Sequence, residues 1–248
     1  MKKVQNILAL NVMVLMLLLI CGCATNQKCN KIMNKQTFFE KQSVGKLNYF
    51  VDLPNDFDKT KQYPLIVFLH GAGERGTAET KQNTRVTGLP QFIDQGKFEF
   101  PFIVVTPQCP TDSNWYEQLA KLEELTEFVI ANYPVNKKQV YLTGLSMGGY
   151  GTWDLACLRP DLFAALAPIC GGGDPKAVTK IKNIPVWCFH GEKDDIIPLK
   201  SGQEMVDALH ECGGVVKFTI YPNVKHNSWT RTYENSELYN WFLSITKP

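Results

Sequence analysis

The sequence lacks most signatures that would assign it to a metal, redox or nucleic-acid class. Its 248 residues contain no Cys-x-x-Cys pair, which argues against zinc ribbons and dithiol redox centres. Only four histidines occur, and no H-E-x-x-H run joins any two of them, so a zinc-peptidase helix is excluded and no cofactor is expected. The formal charge is +2, and Lys2 and Lys3 account for both units. The remainder is close to neutral and has no basic stripe interleaved with aromatics, which excludes nucleic acid as an expected partner. Internal repeats and low-complexity segments are absent. What is present is ordinary: 44% hydrophobic and 20% charged residues, enough for one sizeable core.

The apolar run from Ile7 to Ile20, broken only by Asn11, is too short for a comfortable membrane span. Behind Lys2 and Lys3 it reads as the h-region of a signal peptide. It runs into Ile20-Cys21-Gly22-Cys23, which resembles a bacterial lipoprotein signal in which Cys23 carries the lipid and begins the mature chain. Cys21 departs from the pattern, which has Ala or Ser there. The expected division is a signal peptide over 1–22, a polar tether over 23–40 and a single folded domain over 41–248. The membrane enters as a partner through the Cys23 anchor, and the expected location is the bacterial cell envelope. The remaining cysteines are Cys29, Cys109, Cys157, Cys170, Cys188 and Cys212, and their spacing indicates no disulfide. Cys170 and Cys188 lie in apolar runs and are expected as buried thiols.

Short apolar runs alternate with helix-like segments along the domain. Leu47–Leu53 reads as an early edge strand. Leu65–Leu69, Phe102–Val105, Val140–Leu142, Ala164–Cys170, Val186–Phe189 and Val215–Tyr221 read as further strands. Helical spacing covers Asn114–Tyr133, Met147–Leu158, Gly202–Cys212 and Ser236–Ile245. Continuous apolar strands are buried on both faces, so the pattern predicts a mainly parallel sheet sandwiched by helices. Sites in such sheets lie at the carboxyl ends of the strands. Four polar or glycine-rich motifs fall there: HGAGERG after Leu69, TGLSMGG after Leu142, HGEKDD after Phe189 and PNVKHNSW after Tyr221.

Ser146 is the centre of Gly144-Leu145-Ser146-Met147-Gly148, a G-x-S-x-G run between a strand and a helix. That context holds a serine on a sharp turn and aims the N–H groups of the following helix at it. A serine hydroxyl needs an adjacent base to act as a nucleophile. Of the four histidines, His70 and His190 end strands and His210 lies on the polar side of its helix. His226 combines a strand-end loop with a position after the candidate acids, so it is the expected base. Glu192, Asp194 and Asp195 are candidates for the carboxylate that orients it. The N–H groups of Met147 and of Ala72 or Gly73 are candidate oxyanion donors, Ala72 being preferred. Trp115 and Trp229 are candidates for an aromatic wall that binds substrate. Glu74 and Arg75 would either contact substrate or brace their loop as an ion pair.

These residues carry a resemblance. The order serine, acid, histidine resembles that of the α/β-hydrolase superfamily. FLHGAGERG, TPQCP, YLTGLSMGGYGTWDLA, PICGGGD, HGEKDDIIP and KHNSWTRTY are similar to the bacterial carboxylesterase group described as phospholipase/carboxylesterase-like or predicted peptidases. The resemblance spans about Tyr63 to Trp241. It implies an α/β-hydrolase fold and places nucleophile, acid and base on Ser146, Asp194 and His226, with Asp195 as the alternative acid. The implied reaction is two-step acyl transfer on an ester; the motifs name no substrate, and small esters or, given an envelope location, acetyl or feruloyl decorations of polysaccharides are the expected ones. A peptidase or amidase and a non-catalytic surface module are the other readings. Gly171–Pro185 is too short for a large lid, so an open site is expected.

Overall fold

The computed structural model describes residues 34–41, 45–77, 80, 84–96 and 100–248. Ile32–Pro248 forms one compact unit. The expected signal peptide and the Cys23 anchor lie outside the described residues. None of the described helices is long and apolar enough to cross a membrane.

Among the described residues, eight strands form one sheet. They are β1 (Asn34–Lys41), β2 (Gly45–Asp52), β3 (Tyr63–Leu69), β4 (Ile103–Gln108), β5 (Val135–Leu145), β6 (Ala165–Ile169), β7 (Val186–Gly191) and β8 (Val216–Tyr221). Their spatial order is β1-β2-β4-β3-β5-β6-β7-β8. The β1–β2 and β2–β4 pairings are antiparallel, and the rest are parallel. Alternation along the inner strands sends side chains to two separate cores. Leu65, Val67 and Leu69 enter one, whereas Ile66 and Phe68 enter the other. All five are buried, which is why the run is apolar throughout rather than alternating with polar residues.

Among the described residues, six α-helices cover the two faces. They are α1 (Gly88–Asp94), α2 (Leu119–Asn132), α3 (Met147–Leu158), α4 (Leu199–Glu211), α5 (Trp229–Glu234) and α6 (Ser236–Leu243). On one face, Leu122, Leu125 and Val129 of α2, Trp153 of α3 and Met205 and Leu209 of α4 meet the sheet. On the other, Leu89 and Phe92 of α1, Tyr233 of α5 and Phe242 of α6 do so. Each fully buried side chain of this kind contributes roughly 1.5–3 kcal/mol of hydrophobic stabilisation. Between β6 and β7 the chain forms only one short 3-10 turn, Val178–Ile181, so no lid covers the strand ends there.

Three sequence expectations change. Leu47–Leu53 lies on β2, which is interior rather than an edge because β1 pairs along its whole length. The sheet therefore begins at Asn34, within the stretch read as a tether. The helix expected from Asn114 starts only at Leu119. Residues 114–118 form turns, in which the side chain of Asn114 accepts from the Glu117 N–H at 3.1 Å and the Gln118 N–H donates to the Trp115 carbonyl at 3.1 Å.

The closest packing in the fold lies between α3 and the end of β3. A Cβ at Gly148 would fall far inside contact distance of the Leu69 and His70 carbonyl groups, which are backbone and cannot swing away. Gly148→Ala is expected to lower the urea midpoint by the equivalent of about 2 kcal/mol or more. Gly73→Ala, whose Cβ meets nothing within 4 Å, is the matched control and should leave the midpoint unmoved. Equal midpoints for the two variants would refute this packing.

Candidate active site

The connection from β5 to α3 turns at Ser146, whose backbone sits at φ 55° and ψ −117°. A non-glycine residue there carries strain of order 1–3 kcal/mol that its surroundings must hold. They do so with hydrogen bonds. Ser146 N–H donates to the Ile169 carbonyl at 3.0 Å, and the Ser146 carbonyl accepts from Gly149 and Tyr150 N–H at 2.8 and 3.2 Å. The turn lifts the Ser146 side chain above the carboxyl ends of β5 and β6.

The loops after β7 and β8 bring the partners. His226 Nε2 lies 3.0 Å from Ser146 Oγ. His226 Nδ1 lies 2.8 and 3.0 Å from the two carboxylate oxygens of Asp194. A carboxylate only accepts, so Nδ1–H donates to it, and Nε2 of the neutral ring is left to accept the Ser146 O–H. The Asp194 side chain is wholly buried and is held by Ile196 and Ile197 N–H at 3.0 and 2.9 Å. Asp195 points elsewhere and pairs with Lys225 Nζ at 2.7 Å on the surface, where that contact holds its carboxyl below the usual range. The geometry therefore brings Asp194, not Asp195, to His226. Among the described residues, one group brings acid, cysteine and histidine ligand atoms within 4.8 Å of one another: Cys170, Asp194 and His226. Asp194 and His226 are already hydrogen-bonded to each other there.

The other strand-end histidines brace the loops. His70 Nδ1–H donates to the Gly71 carbonyl at 2.7 Å, and its Nε2 accepts from Cys109 N–H at 3.0 Å. Burial pushes its pKa down to about 4, so the ring is neutral. His190 is the residue that sequence reasoning undervalued. Its Nε2–H donates to the Ile197 carbonyl at 2.9 Å and lies 3.3 Å from Asp194 Oδ2. Burial lowers its pKa as well, which keeps a second cation away from the carboxylate. The motif H-G-x-x-D held that signal, since it spaces the two residues four apart.

Ala72 and Met147 each open a helix, a 3-10 turn and α3 respectively. First-turn N–H groups have no acceptor within their own helix. Arg75 and Glu74 brace the Ala72 turn separately and not as a pair. Arg75 donates to the Ala72 and Ser113 carbonyls at 2.9 and 3.2 Å, and the Glu74 carboxyl, raised by burial, accepts from Gly71 N–H.

A cleft of about 520 Å³ opens beside Ser146 and runs along α3. Trp115, expected as an aromatic wall, is only 1% exposed and donates from Nε1 to the His70 carbonyl at 2.8 Å, so it packs beneath the loop. It still lines the cleft, together with Tyr150 and with Tyr116, which is 72% exposed. Trp229 meets the His226 ring edge-on at 5.3 Å and lines a different depression with Gln91 and Asn227. Asp154 and Asp174 also line the cleft, and neither was singled out in the sequence. Burial first and then Asp174 push the Asp154 carboxyl up to about 6.

Comparison with known proteins places this geometry in context. The family model named Esterase matches residues 43–195. A curated relative named "Probable feruloyl esterase C", from Aspergillus terreus, is 27% identical over 70% of this chain and 64% of its own length. An "Endo-1,4-beta-xylanase/feruloyl esterase" of Xylanibacter ruminicola is 27% identical over 81% of this chain and 30% of its own. Dipeptidyl-peptidases are also among the matches. A solved structure titled "Crystal Structure of a Thermostable Esterase" superposes with a TM-score of 0.75 at 34% identity, covering 86% of this chain and 63% of that one. The chain thus spans less than two thirds of each of these proteins, and the shared architecture is the α/β-hydrolase fold.

The raised Asp154 carboxyl has a consequence for stability. The folded state binds its proton more tightly than the ordinary value of 3.8 allows, so stability present below pH 4 is lost as pH rises through about 6. Asp154→Asn removes the cost of the ionised form. It is expected to raise the melting temperature at pH 8 by roughly 2–4 °C, the equivalent of about 1 kcal/mol in a domain of this size, and to leave it unchanged at pH 4. A gain at pH 4 equal to that at pH 8 would contradict this electrostatic origin.

Proposed function

The chain belongs to the Esterase family, and on that premise we propose that it is a serine carboxylesterase working through an acyl-enzyme on acyl decorations of polysaccharides. One observation carries the reading: Ser146 Oγ, His226 and Asp194 form an unbroken hydrogen-bonded relay at the mouth of a cleft. His226 takes the Ser146 proton as Oγ attacks the ester carbonyl carbon, and Asp194 stabilises the imidazolium that forms. Met147 and Ala72 N–H groups receive the oxyanion, each worth about 10²–10³ in rate in comparable sites. The imidazolium then protonates the departing alcohol. Water, deprotonated by His226, releases the acid and restores Ser146. The reaction as written needs no group beyond these side chains and N–H groups.

The substrate class rests on the feruloyl esterases among the relatives, on the open strand ends and on the absence of a lid between β6 and β7. Export follows from reading 1–22 as a signal peptide. In the finer form of that reading, Cys23 takes the lipid and the enzyme is tethered to the envelope.

Hydrolysis of p-nitrophenyl acetate tests the chemistry. Ser146→Ala is expected to lower kcat by at least about 10³-fold, and Asp194→Asn by a similar factor through loss of the tautomer that accepts the serine proton. Asp195→Asn should stay within about twofold of wild type, since its partner is Lys225. Loss of activity in Asp195→Asn with retention in Asp194→Asn would exchange the two acids. Wild-type turnover of peptide anilides faster than of the ester would favour an amidase. Loss of membrane association in Cys23→Ala cells, read by fractionation, tests the anchor.

A further inference from the structure

The cleft beside Ser146 has a direction. The alcohol oxygen must leave within reach of His226 Nε2, which gives it a proton. The loop that carries His226 contributes Asn227 and Trp229 to a separate depression and nothing to the cleft. The alcohol therefore departs on that side, and the cleft along α3 is left for the acyl group. Its walls near the nucleophile are Met147, Tyr150, Tyr116 and Ile197. Among the described residues its carboxylates are Asp154 and Asp174, and no basic side chain lines it. Asp154 stands seven residues beyond Met147, the first residue of α3, about 10 Å along its axis at 1.5 Å per residue. Its side chain leans back toward the helix start, and so toward Ser146.

Resting on the acyl-enzyme reading above, we propose that Asp154 is the specificity-determining residue of the acyl cleft, accepting a hydrogen bond from a hydroxyl at the far end of the acyl group. The distances select the class. A 4-hydroxycinnamoyl group measures about 8 Å from carbonyl carbon to phenol oxygen by standard bond lengths. A hydrogen bond of about 2.7 Å then spans the remaining gap to a leaning carboxylate. Unsubstituted aryl groups leave that acceptor unmatched, and acyl groups ending in a carboxylate meet two like charges. Asp174, which follows β6, backs Asp154 from across the cleft, and Lys176 N–H holds its Oδ1 at 3.0 Å. The other titratable groups around Asp154 are Tyr150 and Tyr116 in the cleft, Cys157 one turn along α3, and Lys180 from the 3-10 turn beside Cys157. The Cys157 thiol, which burial pushes up to about 11, keeps its proton between pH 5 and 7.5. The carboxyl of Asp154, held up at about 6, changes charge in that range.

The test compares kcat/KM for methyl 4-hydroxycinnamate, methyl 4-methoxycinnamate and methyl cinnamate within one preparation, so that losses common to all three cancel. Wild type at pH 7.5 is expected to prefer the hydroxylated ester over both others by about 10-fold, as a charged acceptor implies. In Asp154→Ala the preference should fall to about twofold or less. In wild type alone it should shrink between pH 7.5 and pH 5 as Asp154 takes up its proton, a reading that does not depend on the variant folding. Any change in the shared catalytic step affects all three esters alike and leaves the ratio unmoved. No preference in wild type, or a preference kept in Asp154→Ala or unchanged at pH 5, overturns the assignment. If p-nitrophenyl acetate is still turned over through Ser146, those results leave the esterase reading intact. A wild type inert towards p-nitrophenyl acetate and towards all three methyl esters overturns both.

Discussion

The structure depends on how closely α3 can approach the end of β3. The strained backbone at Ser146 is tolerable only because the next turn of chain drops straight into helix, and that helix lies against the Leu69 and His70 carbonyls with no side chain between. Gly148 permits the contact. Everything else follows from this approach. It lifts the Ser146 hydroxyl above the sheet and sets Met147 N–H next to it. It also brings the loop after β3 close, since a Cβ on Gly71 would lie 3.6 Å from Ser146 Cβ. A wider separation would relieve the turn and pull the serine away from His226.

Around this turn the fold keeps charge scarce. His70 and His190 are both buried and pushed toward neutrality, and both spend their N–H groups on backbone carbonyls. Among the described residues, the buried carboxylate in contact with His226 is Asp194, which two backbone N–H groups hold in place. A positive charge that forms on His226 thus meets one fixed negative partner and no competing cation. The pair Asp195–Lys225 links the acid loop to the histidine loop at the surface, where an exposed ion pair contributes little to stability. Its neighbour by one residue carries the chemistry, and burial separates the two.

The parallel sheet, Ser146 and His226 were legible in the sequence for one reason, whereas Asp194 was favoured over Asp195 only through the family resemblance. A strand buried on both faces is apolar without interruption, so its end is visible, and the polar motifs at four such ends had to converge. Elements without that contrast were not legible. Asn34–Lys41, with its polar composition, reads as a tether until β2 is seen to pair with it. The six-residue α5, Trp229–Glu234, is too short for a periodic signal. Trp115 was a candidate for an aromatic wall, and it does line the cleft. Its indole N–H also satisfies the His70 carbonyl, a contact between residues 45 apart in the chain. Asp154 was missed for a different reason. A single acid on a helix reads as solvated, and only the cleft running along α3 shows that it faces the nucleophile's pocket.

The central claim is that Ser146 is a nucleophile activated by its surroundings and not a helix-capping serine. Stoichiometric reaction with a fluorophosphonate, followed by peptide mass spectrometry, tests it most directly. The account predicts one adduct per chain, located on Ser146, formed rapidly by wild type and at least about 10²-fold more slowly in His226→Ala. An adduct on another residue, or no adduct on a folded chain, would contradict it.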